Sequence, residues 1–262
     1  MSDTPILSVR DLQKTFGAVV AAKDITVDVP AGQVVGVIGA NGAGKTTFVN
    51  MVTGYLKPSA GTIRFAGEDI TGIPPRDAVH RGLTRSFQVS QVFMSLSVRQ
   101  NLLSALALAR RNGAALLRPI RDPALMAECE EVMARYGLTT VADSDASALS
   151  QGSRKLLDIA MAVVSGPKML LLDEPTSGVA AEEKFAIMDT VMNALKATGT
   201  TVLFIEHDME IVERYVDRVL AFFSGEVICD APPAQALVDP KVRELVIGDT
   251  HTTTEEKERA YA

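Results

Sequence analysis

Hydrophobic and polar residues alternate through the opening third of the chain, in ILSVRDL and again in DITVDVP, where Ile25, Val27 and Val29 fall on one face. A period of two predicts strands with one buried face. Past a turn at Pro30-Ala31-Gly32, the unbroken apolar run QVVGVIG from Gln33 has the pattern of a strand buried on both sides. From Asn101 the spacing becomes helical in NLLSALALARR, ALMAECEEVMARYGL and SRKLLDIAMAVV, divided by Gly113, the RPIRDP break and Gly137. Strand runs resume at KMLLLDEP and TVLFIEHD with the helical AEEKFAIMDTVMNALKATG between them, a βαβ unit whose strands should be parallel. A last hairpin, RVLAFFSGEVI, turns at Ser224-Gly225.

The pattern predicts an α/β fold in which residues 1–88 and 162–248 form two parts of one core. Residues 89–161 form a helical subdomain inserted between them, and the polar stretch 249–262, DTHTTTEEKERAYA, is a flexible tail. At 262 residues and 47% hydrophobic content the core needs no staples. A net charge of −6 argues against a protein built to grip nucleic-acid phosphates. Cys129 and Cys229 lack metal-ligand spacing and read as buried thiols in a reducing compartment. The start, MSDTPILSVRDL, lacks a signal-peptide pattern, and no apolar run approaches the roughly 20 residues that span a bilayer, so any membrane role runs through a partner.

Chemistry enters at GANGAGKTT, residues 39–47, which matches the phosphate-binding pattern G-x-x-x-x-G-K-[ST] between a buried strand and a helix. Gly39, Gly42 and Gly44 let the backbone turn its N–H groups inward, with Asn41, Ala43 and Thr47 completing the loop. Lys45 would reach the β- and γ-phosphates of ATP, and Thr46 would ligate Mg²⁺. The second candidate is the pair Asp173 and Glu174 ending KMLLLDEP. Strand alternation sends the two side chains in opposite directions, with Asp173 supporting Mg²⁺ from its outer coordination sphere and Glu174 placed to take a proton from the attacking water. The bland alternative is a strand that ends in exposed acids. His207, after the buried run of FIEHD, reaches the same crevice if its strand is parallel to the Asp-Glu strand. Ser150, opening the helix of LSQGSRK, is by itself an ordinary helix cap.

Taken in order, GANGAGKTT, Gln88 in TRSFQVSQ, LSQGSRK, LLLDEP and EHD resemble the ATP-binding subunits of ABC transporters over nearly the whole chain. The resemblance implies a P-loop NTPase core with a mainly parallel sheet, an N-terminal antiparallel β-subdomain and the helical insertion. It implies that Phe16 stacks on adenine, that Gln88 joins Mg²⁺ to the transmembrane partner, and that His207 is the switch histidine. It also implies that two such domains pack head to tail, the Ser150 and Gly152 loop of one covering the γ-phosphate held by the other. The subgroup most resembled serves branched-chain amino acid importers and their relatives for urea, short amides and other small organic solutes. The implied partners are a second, different ATP-binding subunit, two permeases and, indirectly, a periplasmic binding protein, at the cytoplasmic face of the inner membrane. Val92, Phe93 and Met94 then face the permease, or alternatively fill the subdomain's own core. Ala180 stands where relatives place an Asp or Asn that communicates across the dimer. A soluble ABC ATPase of translation or DNA repair is the runner-up; its two cassettes or long coiled-coil insertion are missing from this pattern. A small-molecule kinase is disfavoured by LSQGS.

Overall fold

The computed structural model describes residues 4–86, 92–110 and 122–248. Two sheets are built. The first is antiparallel, in the order β2-β1-β4-β5, from β1 (Leu7–Phe16), β2 (Val19–Val29), β4 (Ala60–Phe65) and the short β5 (Glu68–Asp69). The second has six strands in the order β10-β9-β3-β8-β7-β6, comprising β3 (Val34–Gly39), β6 (Leu83–Ser86), β7 (Met169–Asp173), β8 (Thr201–Ile205), β9 (Arg218–Phe223) and β10 (Glu226–Ala231). All its pairings are parallel except the β9–β10 hairpin at Ser224-Gly225, the turn marked in the sequence.

The central strands are apolar throughout because both faces are covered. Val34, Ile38, Leu170, Leu172, Val202 and Phe204 face one core cluster, while Val35, Val37, Met169, Leu171, Leu203 and Ile205 face the other, alternating residue by residue. The second cluster is shared with β1, β2, β4 and the helix α1 (Lys45–Val52). The first is shared with α3 (Val98–Ala109), α4 (Pro123–Arg135), α5 (Gln151–Val163) and α6 (Ala181–Ala197). The helix α2 (Pro75–His80) lies between β5 and β6, and α7 (Met209–Tyr215) follows β8.

Helix ends follow local chemistry. Ser97 and Gln100 close a reciprocal capping box at α3, which therefore starts three residues before the apolar period becomes obvious at Asn101. Asp122 caps α4 ahead of Pro123, and Ser150 caps α5. Cys129 is buried, its thiol pushed up to about 11 by desolvation, whereas Cys229 is only half-buried, on the edge strand β10. Among the described residues no helix is long and apolar enough to cross a membrane.

Candidate functional site

The strands β3, β7 and β8 deliver their carboxyl ends to one side of the sheet, and a cleft of about 420 Å³ opens there. Its floor is the loop after β3: Asn41, Gly42, Ala43, Gly44, Lys45, Thr46 and Thr47 all line it. Gly44 holds a φ of 102°, and a Cβ at that position would lie 2.8 Å from the Ala21 carbonyl, so the loop can run this close to β2 only with glycine there. Gly44 also opens α1 without a capping side chain, which leaves first-turn N–H groups for an anion.

Lys45 is buried, and its Nζ donates to the carbonyls of Gly39 at 2.6 Å and Ala40 at 3.0 Å. Burial lowers its pKa below the usual lysine value, opposed by the nearby charges of Glu174 and Asp173. The far wall carries Asp173, Glu174 and His207. His207 Nε2 stands 3.2 Å from Glu174 Oε1.

Asp173 and Glu174 both line the cleft, where their two expected roles put them. The strand alternation expected of the pair does not extend to Glu174, because β7 ends at Asp173 and Glu174 takes a left-handed φ of 47°. The Glu174 N–H still reaches the Ile205 carbonyl at 3.0 Å, so the residue stays tied to β8.

Other expected residues lie elsewhere. Gly39 ends β3, and its carbonyl receives Lys45. Phe16 ends β1 beside the cleft-lining strand β2; it is 51% exposed, does not line the cleft, and carries the Lys14 ammonium 5.0 Å above its ring. That exposure rules out a core role. Ser150 and Gly152, at the start of α5, do not line the cleft around Lys45 either. Gln88 lies outside the described residues. Val92 is buried while Phe93 and Met94 are exposed, the Phe93 backbone being held by the Asn101 side chain through bonds of 2.9 and 3.1 Å.

Three charged residues near the site carried no role in the sequence reading. Arg85, on the cleft wall, is ion-paired to Asp173 and bonded to Asn50 at 2.6 Å. Lys155 of α5 is buried with its Nζ 3.5 Å from the Asp173 carbonyl, and desolvation lowers its pKa. Glu206 is buried at the end of β8. For Glu206 the available signal was a charge directly after the apolar run of β8; Arg85, inside the four-residue edge strand β6, had none.

With this geometry in place, comparison with known proteins is direct. The ABC transporter family model matches residues 22–177. A probable branched-chain amino acid transport ATP-binding protein, LivG, of Methanocaldococcus jannaschii is 34% identical, covering 95% of this chain and 100% of its own. The high-affinity branched-chain amino acid transport ATP-binding protein LivG of Escherichia coli K12 is 32% identical over 94% of this chain and 98% of its own. Among solved structures, the ADP conformation of MJ1267, an ATP-binding cassette of an ABC transporter, superposes with a TM-score of 0.81 at 33% identity, covering 91% of this chain and 97% of that one. The chain belongs to the ABC transporter family and is one of its nucleotide-binding ATPase subunits.

Proposed function

We propose that this ATPase powers import of branched-chain amino acids, or of a related small organic solute, through permease partners. One observation carries the solute class: the similarity to the two LivG proteins runs end to end, including the helical insertion, rather than stopping at the phosphate loop. The working unit is a head-to-tail dimer with a second, different ATP-binding subunit, docked on two permeases at the cytoplasmic face of the inner membrane and served by a periplasmic binding protein. Exposed Phe93 and Met94 offer the permease an apolar contact on the helical subdomain, residues 89–161.

In the chemical step, the loop amides and Lys45 hold the β- and γ-phosphates. A water attacks the γ-phosphorus as the bond to the β,γ-bridging oxygen breaks, ADP leaves, and Glu174 takes the water's proton. His207, its Nε2 3.2 Å from Glu174 Oε1, would orient that carboxylate beside the γ-phosphate. Phe16 supplies an exposed aromatic surface for adenine.

The donor set suits Mg²⁺. The Thr46 hydroxyl would be a hard oxygen ligand, with Gln88 as a further candidate, and the Asp173 carboxylate in the same cleft would hold waters of the ion from its outer coordination sphere. Bound with ATP, Mg²⁺ neutralises charge developing across the phosphates.

Replacing the wild-type chain by Lys45→Ala in its host tests the function. Uptake of labelled leucine, isoleucine and valine should fall to the transporter-null level. Loss of urea or short-amide uptake instead moves the solute within the group, and unchanged uptake of all of them overturns the importer reading.

A further inference from the structure

We propose that Glu206 is a positioning residue for ATP hydrolysis, a buried carboxylate that locks the loop carrying His207 to the loop that follows Glu174. The proposal rests on the reading of Glu174 and His207 given above and extends it to a residue that does not line the phosphate cleft. All five residues of β8 are buried, and Glu206, next in the chain, is only 4% exposed. A carboxylate so placed needs donors for both oxygens.

It has them, and they are divided. Glu206 Oε1 accepts from the Thr176 backbone N–H at 3.1 Å and the Thr176 hydroxyl at 2.6 Å. Its Oε2 accepts from the backbone N–H of His207 at 3.0 Å and, more weakly, of Asp208 at 3.5 Å. One oxygen therefore serves each loop. Thr176 lies in the tight turn that Glu174 opens, closed by the Ser177 N–H on the Glu174 carbonyl at 3.1 Å. The carboxylate spans the two segments whose side chains meet at 3.2 Å, His207 Nε2 with Glu174 Oε1. The walls that hold phosphate, Lys45 and the loop before it, make none of these bonds.

Chemistry makes the proposal sharp. An amide at position 206 has one acceptor, and its NH₂ would confront N–H donors whichever way it turned, so Glu206→Gln must release one loop. Misplacement of a reacting group by about 1 Å can cost about 100-fold in rate. In the full-length chain assembled in its transporter, Glu206→Gln should lower kcat for ATP by about 10-fold or more while ATP affinity, measured with a fluorescent nucleotide, stays within about twofold. Thr176→Val, which removes one hydroxyl donor, should show a smaller loss of kcat at unchanged affinity, and Thr176→Ser should restore it. The Thr176 pair decides the matter if thermal melting shows Glu206→Gln to be unfolded.

Unchanged kcat in a folded Glu206→Gln, a loss confined to affinity, or Thr176→Ser behaving like Thr176→Val each overturns the positioning role. Lys45→Ala run in parallel separates the two ideas. If it abolishes turnover while Glu206→Gln is normal, only the positioning role fails; if Lys45→Ala itself turns over, the site reading fails.

Discussion

Glu174 sits in a backbone conformation that costs a non-glycine residue on the order of 1–3 kcal/mol, and the hydrogen bond from its N–H to the Ile205 carbonyl helps to hold it there. The strained turn is what brings its carboxylate into the cleft beside Asp173. Glu174→Gln should therefore bind ATP normally and slow hydrolysis by about 100-fold or more, because the amide keeps shape but cannot take a proton. Single-turnover kinetics with equilibrium nucleotide binding checks both halves, and normal turnover would remove Glu174 from the role of base. Phe16→Ala should weaken nucleotide binding by about 1–3 kcal/mol, the worth of base stacking on an aromatic ring, with little change in thermal stability since the ring is already exposed. Unchanged affinity by calorimetry would end its role as the adenine platform. At this scale Lys45, Asp173 and Glu174 were legible as candidates from the phosphate-loop pattern and the strand that ends in two acids, and His207 from its place after a strand expected to be parallel to that one. The turn at Glu174 was not, because a left-handed glutamate has no sequence signature. Arg85 was hidden for a related reason, since its partner Asp173 lies 88 positions away.

At the scale of elements, long periodic segments were readable and short ones were not. The strand β6 reads LTRS, polar by composition, yet Thr84 and Ser86 are buried in the parallel sheet. Ser86 gives its hydroxyl to Asp158 of α5 at 2.9 Å, so a distant helix makes the burial tolerable, and no local pattern announces it. The strand β4 and helix α2 are six residues each, too short for a period to declare itself. Helices α6 and α7 are joined by the ion pair of Lys184 and Asp208 at 2.8 Å, beside the His207 loop. The bond from Lys184 holds the Asp208 carboxyl below the usual carboxylate range, and the same bond raises Lys184 above the usual lysine value. A depressed carboxyl contributes stability that is present above its unfolded value, about 3.9, and lost as pH falls through the folded one. A raised lysine contributes stability present below its unfolded value, about 10.4, and lost as pH rises through the folded one. The stability difference between wild type and Lys184→Met should accordingly be flat from about pH 5 to pH 9 and shrink on either side. Urea titrations across that range test it, and a difference that persists undiminished well below pH 4 would mean the lysine acts through packing alone.

At the scale of the whole molecule, the sheet is sandwiched between two apolar cores, and its phosphate cleft opens at the strand ends, away from the start of α5. Ser150 is exposed and caps that helix by accepting from the Ser153 N–H at 3.2 Å. Gly152 packs so tightly on α6 that a Cβ there would lie 2.6 Å from Ile187 Cδ1, which fixes the helix start against the core. A capped, exposed helix N-terminus outside its own chain's phosphate cleft suits the proposed surface that completes the cleft of another subunit. Ser150→Ala loses the cap, worth about 0.5–2 kcal/mol of stability, and serves as the control for that effect alone. Ser150→Arg adds a bulky cation where, in the proposed head-to-tail dimer, the partner's γ-phosphate would be embraced, so it should block hydrolysis at the partner's site while ATP binding at its own Lys45 stays normal. Turnover at each site can be read separately in assembled transporter by inactivating the base of the other. A block at the partner's site, beyond any effect of Ser150→Ala, supports the head-to-tail arrangement. If Ser150→Arg instead destroys nucleotide binding in its own chain, or leaves the partner's site running at full rate, the loop is a local helix cap and the dimer must be assembled through another face.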